Sequence, residues 1–333
     1  MSSAPTVELG VPGDKIILPR IGLGVMGMSG GYGSFVESES VDVLNHSIDI
    51  GCIFWDTADS YGFGKNEVLI SKVPKERRSN VFIGTKFGLV FKDPGSEFDG
   101  DYSKVFSGIC GTPEYVRSQV EQSLKKLDVD RIDLLYQHRV DPTTPIETTV
   151  GAMAELVREG KVRFLGLSEC SADELRRAYK VHPIAAVQVE YSPWWLGPES
   201  NGLFEACREL GVTVVVSSPL GRGFMTGKLR DATSLEPADW RSRNPRFQQE
   251  NIDNNLKLVD GIEAIAKRRG VATSQLTLAW ILAQEKNLIV IPGTKRINYL
   301  DENFAAGQIE LTEDEIKEIR ALIGSTVITG SRH

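Results

Sequence analysis

A (β/α)8 barrel in one domain is the fold predicted for this 333-residue chain, on two observations. From Ile21 onward, eight short apolar runs alternate with amphipathic segments, the pattern of repeated βα units around a parallel sheet. A doubly wound sheet would also alternate, but it has fewer strands, and no G-x-G-x-x-G fingerprint follows an early run. The glycines between positions 22 and 27 lead instead into Met28-Ser29-Gly30-Gly31, which reads as a loop. The expected organisation is one domain over 1–333, with a barrel core at 18–323, an inserted loop at 221–251 and a flexible tail at 324–333.

Ahead of the barrel, residues 7–10 and 15–18 flank a Val-Pro-Gly-Asp turn and read as a β-hairpin able to plug or cap something larger. The first run, 21–26, is followed by a Gly-rich loop and a helix over 38–50; the second, 52–55, by a helix over 66–72. Val81 to Lys86 form the third, then a long loop and a helix opened by Thr112 with Pro113 at its first position. Val116, Val120, Leu124 and Leu127 share one face of that helix, so it covers a core. The fourth run, 132–138, precedes a Thr144-Pro145-Ile146-Glu147 capping box; the fifth, 162–168, precedes another formed by Ser171 and Glu174. The sixth covers 185–191 and the seventh 212–216, ahead of Ser217-Ser218-Pro219-Leu220-Gly221-Arg222-Gly223. The eighth, 288–291, leads into Pro292-Gly293-Thr294-Lys295-Arg296 and a helix through Asn303. Residues 230–251 are polar, Arg-rich and aperiodic, and residues 312–323 form a last helix behind a Thr312 and Glu315 box.

Composition removes several functions. The net charge of −7 offers no basic patch for phosphate neutralisation, which argues against a nucleic-acid partner. Cys52, Cys110, Cys170 and Cys207 have no C-x-x-C spacing, so neither a zinc site nor a disulfide framework is indicated and a reducing compartment fits. Residues 1–12 lack a basic region followed by an apolar core, and no run has the apolar length of a membrane span. A cytoplasmic protein without a membrane partner is expected. The terminal Ser331-Arg332-His333 only loosely resembles a peroxisomal tripeptide, and a frayed tail is the simpler reading.

The chemistry-bearing stretch is Phe54-Trp55-Asp56-Thr57-Ala58-Asp59-Ser60-Tyr61. Alone, it reads equally well as a helix cap and a packed tyrosine. Polar residues at the ends of other runs decide the matter, because strand carboxyl ends gather at one rim of a barrel, where active sites sit. Asp56 and Tyr61 follow the second run, Lys86 ends the third, His138 the fourth and Ser168 the fifth; Gln188 lies late in the sixth, and Ser217 and Ser218 close the seventh. With four His in the chain and only His138 at a strand end, no metal-ligand cluster forms.

The ordered motifs Phe54-Trp55-Asp56-Thr57-Ala58 with Tyr61-Gly62, Gly84-Thr85-Lys86, Gln137-His138-Arg139, Gly166-Leu167-Ser168, Gln188-Val189-Glu190-Tyr191, Ser218-Pro219-Leu220 and Ile291-Pro292-Gly293-Thr294 resemble the aldo-keto reductases. The resemblance runs from about Leu18 to Ile323, and is strongest to the microbial and fungal branch that includes pyridoxal reductases and broad aldehyde reductases. It implies hydride transfer from NADPH to an aldehyde or ketone, with Asp56, Tyr61, Lys86 and His138 as the catalytic tetrad. Tyr61 would be the general acid, its pKa lowered by Lys86 from about 10. Asp56 would hold Lys86, and His138 would orient the carbonyl as an oxyanion donor.

The resemblance also implies a cofactor site. Gly24 and Val25 at the first strand end, Asp56, and Ser168 and Gln188 on the carboxamide would hold the nicotinamide half. Ser217, Ser218, Pro219, Leu220, Arg222 and Gly223, with Lys228 behind, would wrap the pyrophosphate; Gly293, Thr294, Lys295 and Arg296 would hold the 2′-phosphate, and Glu302 and Asn303 the adenine. Met26, Gly88, Arg139, Trp194 and Trp195 would line the substrate pocket, although a Trp pair also suits barrel packing. Arg139 could bind an anionic group or pair with Asp141, the pairing being the first expectation. Three positions depart from the family pattern: Glu169 where Asn is common, Ser217 where an aromatic stacks on nicotinamide, and Tyr299 where an Arg meets the 2′-phosphate. A cofactor-bound redox-sensing subunit of the same fold, turning over slowly, is the alternative function.

Overall fold

The computed structural model describes residues 4–92 and 101–332. Its strands are β1 (Thr6–Val11), β2 (Asp14–Pro19), β3 (Leu23–Gly24), β4 (Phe54–Asp56), β5 (Phe82–Phe87), β6 (Leu89–Phe91), β7 (Phe106–Ile109), β8 (Ile132–Gln137), β9 (Val162–Ser168), β10 (Ala186–Glu190), β11 (Thr213–Ser217) and β12 (Leu288–Val290). The helices are α1 (Glu37–Asp49), α2 (Lys65–Ser71), α3 (Lys75–Arg78), α4 (Pro113–Leu127), α5 (Ile146–Arg158), α6 (Ala172–Val181), α7 (Gly197–Ser200), α8 (Leu203–Leu210), α9 (Gln249–Arg269), α10 (Thr273–Leu282), α11 (Ile297–Ala305) and α12 (Glu313–Ser325). Strands β3, β4, β5, β8, β9, β10, β11 and β12 are neighbours in that order and all parallel. Parallel bridges from Ile21 to Val290 and from Gly24 to Gly293 join the first strand region to the last. The sheet is the (β/α)8 barrel expected, and its register sets the carboxyl ends level: Asp56 pairs with Gly24 and Gly84, Lys86 with Tyr136, Gln188 with Ser168.

Side chains fill the barrel. Phe54, Phe82, Leu134, Tyr136, Phe164, Val215 and Ile289 form one buried cluster that includes Leu9 and Leu18 of the β1–β2 hairpin, so the hairpin plugs that cluster. Gly166 makes room for it: a Cβ there would lie 2.4 Å from the Tyr136 ring. A second, larger cluster lies between strands and helices, where the apolar faces of α4, α5 and α12 are buried as their spacing predicts.

Helix starts agree with the sequence except at α5. Thr112 accepts from the Tyr115 N–H, and the Ser171–Glu174 and Thr312–Glu315 capping boxes form as expected. The Thr144–Glu147 box does not: Thr144 donates its hydroxyl to Asp141 at 2.8 Å, and α5 begins after Pro145 with no side-chain cap. The inserted segment after β11 is a chain of short 3-10 turns that ends where α9 begins at Gln249.

The tail also differs from its expected freedom. Asn254 donates to the Val327 carbonyl at 2.6 Å, and Thr329 and Asn255 exchange hydrogen bonds at 2.9 and 3.0 Å. Arg332 bridges Glu190 and Glu169, each at 2.7 Å, while its carbonyl accepts from Arg222 at 3.1 Å. Buried carboxylates need such partners, so the tail is tied down wherever Glu190 is buried. His333, the last residue of the terminal tripeptide, lies outside the described residues. No described helix is long and apolar enough to cross a membrane.

Candidate active site

The turn after β4 is what aims Tyr61. The Thr57 N–H donates to the Gly84 carbonyl at 2.8 Å and the Asp59 N–H to the Lys86 carbonyl at 3.0 Å, so the chain leaving β4 stays clamped to β5. It then folds into a 3-10 turn, Tyr61–Gly64, in which Gly62, Phe63 and Gly64 all have positive φ. A Cβ on Gly62 would stand 3.0 Å from Ser29, so this turn needs glycine.

Asp56, Tyr61, Lys86 and His138 meet as predicted. The Lys86 ammonium, completely buried, donates to Asp56 Oδ1 at 2.5 Å, to the Thr57 carbonyl at 2.7 Å and to the Tyr61 oxygen at 3.3 Å. Because lysine donates to the phenol oxygen, the phenol proton is left for another acceptor. The His138 ring stands edge-on to Tyr61 with centroids 5.7 Å apart. Gln188 donates to Asp56 Oδ2 at 2.7 Å, so its amide holds the carboxylate.

Burial dominates the electrostatics. Desolvation opposes the charge on Lys86, but Asp56 and Tyr61 outweigh it and hold the ammonium above the ordinary lysine range. At His138 desolvation, reinforced by Lys86 and Arg139, pushes the pKa well below the usual histidine value, so the ring is neutral. At Tyr61 the balance reverses the expectation from sequence: burial raises the phenol above 10 and Lys86 only partly opposes it.

A cleft of about 400 Å³ runs from Tyr61 and Asp56 past Gln188 and Gly24. Its walls include Met26, Ser217, Ser218, Pro219, Leu220, Arg222, Gly223 and Lys228, then Gly293, Thr294, Lys295, Arg296, Glu302 and Asn303. Ser218, Gly221, Arg222 and Gly223 all have positive φ, a backbone conformation that turns N–H groups into anion-binding concavities. Two side chains are committed otherwise than expected. The Arg222 guanidinium pairs with Glu190 at 2.9 Å and lies over Trp240, and Lys295 donates to the Tyr32 and Ser34 carbonyls at 2.8 and 2.6 Å. Lys228 instead sits 3.8 Å over the Tyr299 ring, with Arg296 at 5.9 Å from it.

Several expected residues lie off this cleft wall. Val25 is buried, its N–H on the Asp56 carbonyl at 3.0 Å, and Ser168 accepts from Arg139 at 3.4 Å. Gly88 adjoins the His138 and Arg139 backbone. Trp194 is corrected from substrate lining to packing: it stacks on Phe224 at 4.5 Å and meets Phe247 edge-on. Trp195 lies beneath Arg332 and Arg246, at 5.0 and 5.9 Å. The Arg139–Asp141 pair is absent, because Asp141 accepts from Gly111, Thr143 and Thr144.

Sequence reading missed Tyr32, Thr226, Arg241 and Ser274 on the cleft wall, and a buried polar layer behind Tyr61. Asn66 receives the Thr57 hydroxyl at 2.6 Å and donates to the Val25 carbonyl and to Ser29, lacing the first two strand ends together. Their one sequence signal is a polar Asn66-Glu67 pair on the face that α2 turns inward. Glu67 accepts from Thr85 at 2.7 Å, and burial with this neighbouring carboxylate pushes Asp59 up to about 8. The folded state therefore keeps the Asp59 proton between about pH 4 and about pH 8, where the unfolded chain has released it, and stability falls as pH rises through that window. Asp59→Asn should lose about 3 °C less in Tm between pH 6 and pH 8.5 than the parent protein, by thermal melts in matched buffers. Parallel Tm curves would refute the protonated Asp59.

With this geometry in view, the comparisons are specific. The aldo/keto reductase family profile matches residues 20–323, and the chain belongs to that family. It is 43% identical over 335 residues to a Schizosaccharomyces pombe protein named aldo-keto reductase yakc, NADP(+), covering 99% of this chain and 95% of that one. Aldo-keto reductase str7 of Strobilurus tenacellus is 46% identical over 340 residues, with the same coverage. The glycerol dehydrogenase structure from Gluconobacter oxydans superposes with a TM-score of 0.86 at 26% identity, covering 99% of this chain and 98% of that one.

Proposed function

We propose that this protein reduces aldehydes or ketones to alcohols with NADPH, Tyr61 acting as the general acid. The observation that carries the reading is the buried Asp56–Lys86–Tyr61 chain beside a neutral His138, at the head of the long cleft. When bound, the dinucleotide supplies the hydride. Tyr61 gives its proton to the carbonyl oxygen, and the adjacent ammonium stabilises the phenolate left behind. His138, uncharged, presents a ring N–H to the same oxygen and orients it. Asp56 keeps Lys86 charged and in place, with Gln188 holding Asp56.

The donor set suits a dinucleotide. Backbone N–H groups of the left-handed run around Gly221 to Gly223 would take the pyrophosphate, and Lys228 and Arg296, on either side of Tyr299, would take a 2′-phosphate. Lys228 thereby offsets the Arg missing at Tyr299. The name of the fission-yeast relative, which specifies NADP(+), supports the same cofactor.

The test mixes purified protein with NADPH and a panel of aldehydes, 4-nitrobenzaldehyde and pyridoxal among them, and follows loss of the reduced-nicotinamide absorbance. A kcat of about 1 s⁻¹ or more on at least one aldehyde, and a KM for NADPH at least about 10-fold below that for NADH, are expected. Turnover a thousandfold slower on the whole panel would point to the redox-sensing subunit instead.

A further inference from the structure

Arg139 sits beside the reaction centre without a charge partner. It follows His138 directly, where the chain leaves β8, and is half-buried. Its Nη1 donates to the His138 carbonyl at 2.7 Å and, at 3.4 Å, to Ser168 at the end of β9. The other guanidinium N–H groups have no hydrogen-bond partner among the described residues, and no described carboxylate approaches within ion-pair distance. Asp141, the nearest carboxylate in sequence, has its acceptor capacity directed to Gly111, Thr143 and Thr144.

Three other partly buried arginines of this chain are handled differently, although Arg246 also keeps an unpartnered Nη1. Arg20 directs its guanidinium to three backbone carbonyls, of Leu288, Leu282 and Glu285. Arg222 and Arg332 share the Glu190 carboxylate. A guanidinium is costly to remove from water unless its donors and charge are met. Arg139 is thus held by one backbone bond and a long hydroxyl contact, close enough to Tyr61 and His138 for its charge to act on both.

We propose that Arg139 is a specificity-determining residue that binds an anionic group of the substrate, so that the preferred carbonyl compounds carry a carboxylate. A planar fork of N–H donors matches a carboxylate in two-point contact, which fixes the far end of the substrate while Tyr61 and His138 hold the carbonyl oxygen. The inference rests on the reductase reading above and adds its substrate class.

The experiment compares 3- and 4-carboxybenzaldehyde with their methyl esters, which keep the ring and the reacting aldehyde but lack the charge. With NADPH saturating, the parent protein should show a kcat/KM for at least one acid about 10-fold or more above that of its ester. Arg139→Gln should lower the acid-to-ester ratio about 10- to 100-fold, chiefly through the KM of the acid, and Arg139→Lys should restore part of it. Taking a ratio cancels any change in fold or cofactor affinity that affects both substrates. Equal kcat/KM for acids and esters, or a ratio unmoved by Arg139→Gln, would overturn the role of Arg139 while leaving the reductase reading intact. Reduction of neither class would overturn the role of Arg139, and the reductase reading falls with it only if 4-nitrobenzaldehyde and pyridoxal also go unreduced.

Discussion

Tyr61→Phe should abolish carbonyl reduction, lowering kcat about a thousandfold or more, while NADPH still binds within about threefold of its parent affinity. The substitution removes one oxygen and leaves the ring whose edge contact with His138 helps shape the site. That oxygen receives one hydrogen bond, from Lys86 at 3.3 Å, and its loss returns to Lys86 an ammonium still held by Asp56 and Thr57. Folding should therefore be little affected, and stopped-flow or steady-state turnover should collapse without a matching loss in Tm. Cofactor binding is read by quenching of protein fluorescence on NADPH titration. A variant that kept near-parent turnover would remove Tyr61 from the role of acid.

The same site predicts an unusual pH profile. Burial lifts the Tyr61 phenol above 10, so it stays protonated, and able to donate, across the neutral range. His138 is held well below its ordinary value and so does not change charge near pH 6.5. For reduction, the active forms are the protonated phenol and the neutral imidazole; both persist from about pH 6 to about pH 9. A plateau in kcat/KM across that span is the consequence, with a decline only on the alkaline side.

Why the meeting of Asp56, Tyr61, Lys86 and His138 was legible and its electrostatics were not follows from what each depends on. Asp56, Lys86 and His138 end successive parallel strands, and a barrel's register alone brings strand ends together. Nothing comparable in the sequence reports depth. The ammonium of Lys86 was rightly paired with Asp56, yet the expected fall in the Tyr61 pKa does not survive full burial, because desolvation acts on the phenol more strongly than one neighbouring charge. The loops expected to hold a dinucleotide do line one cleft. Side chains in it answer to partners far away in sequence: Arg222 turns to Glu190, and Lys295 to the carbonyls of Tyr32 and Ser34. The docked tail is the clearest case. Arg332 looked like the end of a frayed segment, and the carboxylates of Glu190, 142 positions earlier, and Glu169 explain why it is held.

Replacing both members of the Asp56–Lys86 pair should separate their part in chemistry from their part in folding. Lys86→Met leaves the Asp56 carboxyl, only 3% exposed and raised in pKa by burial, supported by Gln188 alone; Asp56→Asn leaves the Lys86 ammonium with neutral acceptors. Each single change leaves a buried ionisable group without its counter-charge, a mechanism that costs about 3–5 kcal/mol. In the double variant Asp56→Asn with Lys86→Met no charge is stranded, and most of that loss should be recovered, since a buried ion pair is worth little against neutral groups of similar size. Urea melts of the three variants measure the coupling. Activity should follow the opposite course, remaining down by about a thousandfold in the double variant, because nothing then stabilises the phenolate left when Tyr61 gives up its proton. If the recovered stability brought turnover back with it, the pair would be scaffolding for Tyr61 and the ammonium would have no electrostatic part in the reaction.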